Sequence, residues 1–274
     1  MTASERTRNP FIAAVLSLLA PGLGQIYNGM GAPGLLFFLI FIALPLLWGV
    51  SGWLRHFIGL VLFAFSATVF WLFTIVHAFF QARRSKEAGR KKYQTAPVYA
   101  FFIILSLGLM FFIPANIWMT LLGVAPFRFS SDSMLPTIQK GDFLMSDPKA
   151  YENLLPQRGD LVVFDYPKES KKQFLMRVIA VDGETVELKD RQVQVNGEPL
   201  QEFYKTQADM PPDKNRDNFG PLKIPAGHCF VLGDNRDKSY DSRFWGALPF
   251  ANVKGRALYI YWAKDIKRIG LTPK

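Results

Sequence analysis

The stretch FRFSSDSMLPTIQKGD, residues 127–142, contains residues that could carry out nucleophilic chemistry. Ser133 stands directly before Met-Leu-Pro, and Ser131 lies two residues upstream, close enough to bring a second hydroxyl near the same point. A serine hydroxyl is a weak nucleophile unless a neighbouring base accepts its proton. Because serine and aspartate side chains also cap backbone amides, an ordinary turn is the simpler interpretation of this stretch taken alone.

A second polar stretch, GDNRDKSYDSRFWG at residues 233–246, combines aspartates, arginines and serines between two glycines. Asp241 and Arg243 are placed to form an ion pair that fixes the loop, and Ser239 can orient a neighbouring side chain by hydrogen bonding. A polar surface turn is the alternative. The density of charge directly after the apolar run CFVL favours a shaped site.

The elements that must position these residues are β-strands. From residue 124 onward, short runs rich in Val, Ile, Phe and Tyr are separated by Gly, Pro and Asp, with no long amphipathic helix between them. The pattern predicts a mostly antiparallel β domain over residues 124–274, with bent sheets or a partly open barrel. The predicted strands are DLVVFDY (160–166), FLMRVIAV (174–181), TVELKDRQVQVNG (185–197), CFVLGD (229–234) and RALYIYW (256–262), and TQADMPPDKNRDNFGP (206–221) is a predicted surface loop.

The first half of the chain has a different composition, dominated by Leu, Phe, Ile, Ala and Trp. Three uncharged runs, 33–53, 57–80 and 97–122, are long enough to cross a bilayer as helices, which takes ~20 apolar residues. The segment 11–29 is interrupted by a proline and glycines, which favours a re-entrant or interfacial segment over a straight span. A removed signal peptide is the alternative for this segment. Residues 1–123 are therefore predicted to form a multi-span membrane module.

The charge distribution gives this module an orientation. The loop QARRSKEAGRKKYQ, residues 81–94, has six basic residues and one acidic residue, so the positive-inside rule makes it cytoplasmic. Residues 124–274 then lie on the extracytoplasmic side. This distribution explains the formal net charge of +10, and no nucleic-acid partner is expected. The single cysteine excludes an intramolecular disulfide framework and a cysteine-based zinc cluster, and no metal or cofactor is expected.

The combined motifs resemble those of bacterial signal peptidase I, the membrane-bound serine protease of the peptidase S26 family. The family's S-x-S-M-x-P-T motif matches residues 131–137, and its GDLVVF strand matches 159–164. Its G-D-N-R-x-x-S-x-D-S-R-x-W-G motif matches 233–246. The resemblance covers about residues 124–264, whereas the N-terminal half differs from the family's usual one or two anchors.

The resemblance implies a serine–lysine dyad on a β fold, a known variant of the catalytic triad. Ser133 would attack the scissile carbonyl, while Ser131 and the backbone N–H of Ser133 would hold the oxyanion. Ser239, Asp241 and Arg243 would support the site, Ser239 by contacting the dyad lysine.

The resemblance also implies the substrates and the location. The substrates would be signal peptides of exported preproteins, cleaved after a small-x-small sequence. The protein would be a multi-pass protein of the bacterial cytoplasmic (inner) membrane with its C-terminal domain on the extracytoplasmic side. Its partners would be the lipid bilayer and the export translocon. Apolar side chains near the site would contact the lipid, with Phe127, Phe129 and Leu135 as candidates.

One position departs from the family pattern. The family places the general-base lysine directly before the arginine of its K-R-V-x-G strand, whereas this chain has Met176 there. A thioether cannot accept a proton at neutral pH, and loss of the base commonly costs several orders of magnitude in rate. Ala180 and Asp182 also replace residues that are usual in the family.

Several hypotheses remain open. By family, the chain is a signal peptidase, and its substitute base would be Lys238 beside Ser239, although a solvated lysine stays protonated. The hypothesis that follows from Met176 is an inactive relative, because the base is indispensable to this chemistry. Such a protein would bind signal-peptide-like segments or regulate an active paralogue. An engineered trap would carry the same residues. A membrane scaffold, with its function in residues 11–123, is the remaining hypothesis. The weaker candidates for a substitute base are Lys171, Lys172 and His228.

Overall fold

The structure is a computed structural model that describes residues 8–84, 91–111, 121–202, 204 and 210–273. The described residues form two compact units. The first contains those of Met1–Leu54 and Ile58–Leu122, and the second contains those of Arg55–Phe57 and Gly123–Lys274. Parts of three predicted segments lie outside the described residues, namely 85–90 of the basic loop, 112–120 of the third span and 206–209 of the surface loop.

The first unit is helical. Its helices are α1 (Pro10–Leu19), α2 (Leu23–Tyr27), α3 (Gly31–Val50), α4 (Phe57–Arg84) and α5 (Ala96–Phe111). By length and composition, α3 and α4 are apolar enough to cross a membrane, and they coincide with the first two predicted spans. The third predicted span begins as α5 and continues outside the described residues, so it stays a prediction.

The segment 11–29 is broken in its middle, as its proline and glycines predict. A turn at Gly22, whose φ of +95° favours glycine, separates α1 from α2. A Cβ on Gly22 would lie 2.0 Å from the carbonyl oxygen of Gly34, and one on Gly24 would lie 2.1 Å from that of Ala13. The glycines therefore let α2 approach the backbones of α3 and α1 more closely than any side chain permits.

Neutral amide side chains hold α2 in place. Gln25 Nε2 donates to the carbonyl of Thr74 at 2.7 Å, and Asn28 Nδ2 donates to the carbonyl of Ala78 at 2.7 Å, both on α4. Gln94 Nε2 donates to a carbonyl of α2 at 2.9 Å. Each bond pairs polar groups that would be costly to leave unpaired among apolar helices.

The second unit is mostly antiparallel β, which confirms the predicted fold class. Its elements are β1 (Ala125–Arg128), β2 (Phe143–Asp147), β3 (Leu161–Tyr166), β4 (Glu169–Val181), β5 (Thr185–Lys189), β6 (Gln192–Val195), β7 (Glu198–Pro199), α6 (Lys214–Asp217), β8 (Phe219–Lys223), β9 (His228–Leu232), α7 (Ser242–Trp245), β10 (Leu248–Pro249) and β11 (Val253–Trp262). One sheet has the order β1-β2-β11-β3-β4-β9-β10, and the other has the order β7-β6-β5-β8.

Apolar side chains cover both faces of the larger sheet. On one face, Leu161 of β3 and Leu175 of β4 pack in one core cluster. On the other face, Val162 of β3 and Met176 of β4 pack in a second cluster. Because successive side chains of a strand point to opposite faces, Met176 and Arg177 leave β4 on opposite sides of the sheet.

The prediction that Phe129 contacts lipid is wrong. Phe129 is 3% exposed and packs with Met134 in the core cluster, because the backbone pairing at the end of β1 turns its side chain inward. Phe127 is partly buried against the same cluster, and Leu135 is half-buried. The most exposed apolar side chains of this unit are elsewhere, at Leu154, Leu155, Tyr240, Trp262 and Ile266.

Candidate active site

The loop between β1 and β2, residues 129–142, carries Ser133 and is here termed the nucleophile loop. The N–H of Phe129 donates to the carbonyl of Asp142 at 2.9 Å and joins its two ends. Arg268 Nε and Nη2 donate to Asp142 Oδ2 at 3.1 and 2.6 Å, and Nη2 also donates to the carbonyl of Thr137 at 2.9 Å. One guanidinium therefore fastens both the end and the middle of the loop.

Ser133 lies where this loop meets the 233–246 loop. Its carbonyl accepts from the N–H of Asn235 at 3.0 Å, and Asn235 Nδ2 donates to the carbonyl of Asp132 at 3.1 Å. The Ser133 residue is 7% exposed. The structure thus brings together the two polar stretches that the sequence singles out, although they are about a hundred residues apart.

The Ser133 N–H and the Ser131 hydroxyl, the two groups expected to bind the oxyanion, lie side by side. The N–H of Ser133 donates to the exposed Ser131 hydroxyl oxygen at 3.1 Å. In the free protein these groups bond to each other. To hold an oxyanion, the N–H would leave Ser131 Oγ and donate to the substrate oxygen, and the Ser131 hydroxyl would donate to the same atom.

A buried ion pair supports the nucleophile loop from the sheet. Arg177 Nε and Nη2 donate to the two carboxylate oxygens of Asp234 at 2.8 and 2.7 Å, and both side chains are at most 2% exposed. Thr137 Oγ1 donates to Asp234 Oδ2 at 2.6 Å. The Tyr204 ring lies 3.9 Å from the guanidinium carbon. Arg177 and Asp234 stand in the matched motifs, but the sequence assigns them no role, because it does not show that they meet.

The predicted ion pair between Asp241 and Arg243 is present. Arg243 Nε and Nη2 donate to the two carboxylate oxygens at 2.8 and 2.9 Å. Asp241 also accepts from the N–H of Gly233 at 3.2 Å, and Arg243 donates to the carbonyl of Arg216 at 3.0 Å. Since both side chains are at most 1% exposed, this pair fixes the loop from inside.

The strand register places Met176 next to Gly233. Arg177 of β4 pairs with Leu232 of β9, and the antiparallel register puts the preceding residue, Met176, next to Gly233. A Cβ on Gly233 would lie 2.3 Å from Ser239 Oγ and 2.4 Å from the carbonyl oxygen of Ser133. The Met176 residue is only 3% exposed and belongs to an apolar cluster.

The Ser239 hydroxyl is buried and has no hydrogen-bond partner within the described part of the chain. An unpaired buried polar group costs about 1–3 kcal/mol, so such groups call for an explanation. The family resemblance supplies one, because it has Ser239 contact the dyad lysine. With a thioether at position 176, that partner is absent.

The candidate substitute bases differ from a buried lysine. Lys238 lies in a short turn after Arg236 and is exposed, unlike a lysine buried in the site. Lys172 pairs with Glu169 at the exposed start of β4. His228 lies at the opposite end of β9 from Gly233.

Neither a cysteine nucleophile nor a metal site is supported among the described residues of this unit. Burial raises the pKa of the Cys229 thiol to about 12, so the thiolate needed for nucleophilic attack is suppressed. Among the described residues, no group of three or more His, Cys, Asp or Glu could hold a metal ion. Ser133 therefore stays the candidate nucleophile.

The comparisons with known proteins agree on one family. The family model "Signal peptidase, peptidase S26" matches residues 98–262, more than half of the chain. A signal peptidase I of Leptolyngbya laminosa is 43% identical over 148 residues, which are 51% of this chain and 68% of that protein. A probable signal peptidase I-1 of Synechocystis sp. is 36% identical over 176 residues, which are 62% of this chain and 82% of that protein. A crystal structure of a signal peptidase I from Enterococcus faecalis matches 37% of this chain and 95% of its own at 35% identity, with a TM-score of 0.32. The chain belongs to the signal peptidase family of serine peptidases, peptidase S26.

Proposed function

We propose that this chain is a membrane-anchored serine endopeptidase of the signal peptidase I type, which removes signal peptides from exported preproteins. The observation that carries the proposal is the position of Ser133, whose carbonyl accepts a hydrogen bond from the 233–246 loop, and two buried ion pairs hold that loop in place. Family membership supports the same reaction class.

In this reaction, Ser133 Oγ bonds to the scissile carbonyl carbon, and the carbonyl oxygen becomes an oxyanion. The N–H of Ser133 and the Ser131 hydroxyl stabilise that charge. The C–N bond then breaks, the amine leaves with a proton, and water hydrolyses the acyl-enzyme. Ser239, Asp241 and Arg243 support the loop. The proton that Ser133 releases would pass to the leaving amine, and the hydrolytic water would lose a proton in the same way. Nucleophilic attack and oxyanion binding have groups assigned to them, whereas these proton transfers do not.

A second candidate is a catalytically impaired protein that binds signal-peptide-like segments or regulates an active paralogue. Two observations favour it. Met176 is buried among apolar side chains, and the Ser239 hydroxyl has no partner among the described residues. A bound peptide would still be held by the same loops, but Ser133 would keep its proton.

The proposed location is the cytoplasmic (inner) membrane of a bacterium, with several membrane passes. The basic loop at 81–94 supports a cytoplasmic position for that loop and an extracytoplasmic position for residues 124–274. Residues 1–123 form the proposed membrane module and 124–274 the proposed catalytic domain. The lipid bilayer and the export translocon are the proposed partners, and nucleic acid is not.

Cleavage of a signal-peptide-bearing preprotein by the purified full chain in detergent tests these candidates. If the parent cleaves and Ser133→Ala does not, the peptidase is supported, and loss of activity in Lys238→Met then identifies the substitute base. If the parent only binds the preprotein and Met176→Lys cleaves it, the impaired protein is supported. If both the parent and Met176→Lys are inert, the proposed peptidase function is wrong.

A further inference from the structure

One end of the first unit is strongly basic. In the sequence, residues 1–30 and 81–95 together contain eight basic residues and two acidic ones. The described residues of this unit contain no Asp or Glu at all. The basic residues that the structure describes at this end are Arg8, Arg83, Arg84, Lys91 and Lys92, here termed the cationic end.

Two separate chain segments meet at the turn between α2 and α3. A Cβ on Gly29 would lie 3.0 Å from a guanidinium nitrogen of Arg8 and 3.8 Å from Cγ of Lys91. The Tyr93 hydroxyl donates to the Gly29 carbonyl and accepts from the N–H of Gly31 at 3.0 Å. Because Gly29 has no side chain, the side chains of Arg8 and Lys91 both lie close to the backbone of this turn.

The last turn of α4 reaches the same place. Tyr27 packs against the cluster that includes Ala82, and Arg83 and Arg84 follow directly and are exposed. The guanidinium carbon of Arg8 lies 6.0 Å from the centre of the Tyr27 ring. Arg8, the pair at 83–84 and the pair at 91–92 therefore add their positive charges to one surface, and charges gathered in this way attract anions more strongly than isolated ones.

Exposed apolar side chains adjoin these cations. Phe11 of α1 is 72% exposed and Phe80 of α4 is 51% exposed. The Phe11 and Phe79 rings are 5.5 Å apart, and the Arg83 guanidinium carbon lies 5.8 Å from the Phe79 ring centre. A phospholipid places an anionic phosphate next to acyl chains, so a single ligand matches both the cations and the apolar surface beside them.

We infer that the cationic end binds the headgroup of an anionic phospholipid, while the adjoining faces of α1 and α4 contact its acyl chains. The site requires the membrane placement proposed for this unit, and it does not require proteolysis. Electrostatic attraction of basic residues to anionic lipid and burial of apolar surface would act together.

The test uses the full chain purified in a neutral detergent. Dioleoylphosphatidylglycerol, dioleoylphosphatidylcholine or glycerol phosphate is titrated in, thermal unfolding is followed, and native mass spectrometry counts bound lipid. We expect a saturable rise in unfolding temperature with phosphatidylglycerol only. Phosphatidylcholine lacks the net charge, and glycerol phosphate lacks the acyl chains.

Charge-matched variants locate the site. The triple substitution Arg84→Gln, Lys91→Gln and Lys92→Gln should weaken the apparent affinity for phosphatidylglycerol on the order of 100-fold, because each basic residue contributes to binding anionic lipid. The control triple Lys168→Gln, Lys223→Gln and Lys264→Gln removes the same charge from exposed positions of the second unit and should leave the affinity for phosphatidylglycerol unchanged. The single variant Lys92→Gln, with a smaller loss, serves if the triple variant fails to fold.

Three results would overturn the inference. An equal response to phosphatidylcholine would show that charge is not recognised. Equal weakening in both triple variants would show that only net charge matters. A full response to glycerol phosphate would show a free-anion site. If Met176→Lys is inert as a peptidase, the lipid titration still gives its own answer, so the two proposals fail separately.

Discussion

The two flanks of Ser133 differ in how their polar groups are satisfied. On the ion-pair flank, Thr137, Asp234 and Arg177 form a buried network with short, well-matched hydrogen bonds. On the thioether flank, Met176 packs among apolar side chains, and the Ser239 hydroxyl has no partner among the described residues. The flank that holds the nucleophile in place is complete, while the flank that would take its proton is not.

This difference separates positioning from chemistry. A buried ion pair costs desolvation and is retained only with good geometry, so the Arg177–Asp234 pair indicates that the loop position itself is specified. The thioether flank raises the separate question of chemistry, because methionine occupies the position where the family resemblance implies the base. Four predictions test this comparison, from the largest expected effect to the smallest.

The largest effect should come from Met176→Lys. A lysine there would be buried beside Ser239, so its pKa would fall and its neutral form could accept the Ser133 proton. We expect kcat/KM for preprotein cleavage to rise at least about a thousandfold, since removal of the base costs that much in related dyads and triads. The rate should increase with pH, because only the neutral amine is active. Met176→Leu is the control, and an equal gain in that variant would contradict the assignment.

Asp234→Asn should destabilise the second unit strongly. The substitution leaves the Arg177 guanidinium, at 2% exposure, without its counter-charge. Removing one partner of a buried ion pair costs about 3–5 kcal/mol of stability. Unfolding in denaturant measures this loss. The exposed pair of Lys254 with Asp165 provides the control, because Lys254→Gln should cost less than about 1 kcal/mol. Similar losses for the two variants would contradict the special role of the ion-pair flank.

Removing one hydroxyl from each flank should change the free energy of unfolding in opposite directions. Thr137→Val deletes a satisfied hydrogen bond to Asp234 and should lower the free energy of unfolding by about 1 kcal/mol. Ser239→Ala deletes an unpaired buried hydroxyl and should raise it by about 1 kcal/mol. In the Met176→Lys background, Ser239→Ala should instead reduce both stability and activity. A loss from Ser239→Ala in the parent would mean that the hydroxyl already has a partner.

The smallest effect concerns pH and an ion pair outside both flanks. Hydrogen bonds from Arg216 hold the pKa of Asp217 well below its usual range. The unfolded chain then binds a proton more readily than the folded one, so this carboxylate adds stability above its unfolded pKa of ~3.9. That contribution should be lost as the pH falls below about 4. Asp217→Asn should flatten this part of the stability profile, whereas Glu198→Gln, at an exposed position, should not.

The sequence predicts the β fold well, because each strand is a short run rich in Val, Ile, Phe and Tyr that ends at Gly, Pro or Asp. That pattern is visible in a local window. The family resemblance gives Ser133 as the candidate nucleophile, and the spacing of Asp241 and Arg243 predicts their ion pair, which the structure contains. The link of Arg177 to Asp234 does not, since 57 residues separate them and only the β4–β9 pairing brings them together.

The sequence predicts exposure less well. Phe129 is the residue next to an exposed turn, yet the closed backbone of the nucleophile loop buries it. The stretch 206–221 is polar and contains prolines, so the sequence predicts a loop over its whole length. Its last residues instead form β8, because Phe219 pairs with Leu188 across the smaller sheet. Long-range pairing of this kind leaves no mark in a local window.

Met176 has an unbranched, flexible side chain of nearly the length of a lysine side chain, so the two residues need a similar volume. The codons for methionine and lysine can differ by a single base. A lineage carrying this chain would therefore be one point mutation away from a lysine at this position. Such an arrangement would make any loss of activity reversible for as long as the Ser239 side of the site stays intact.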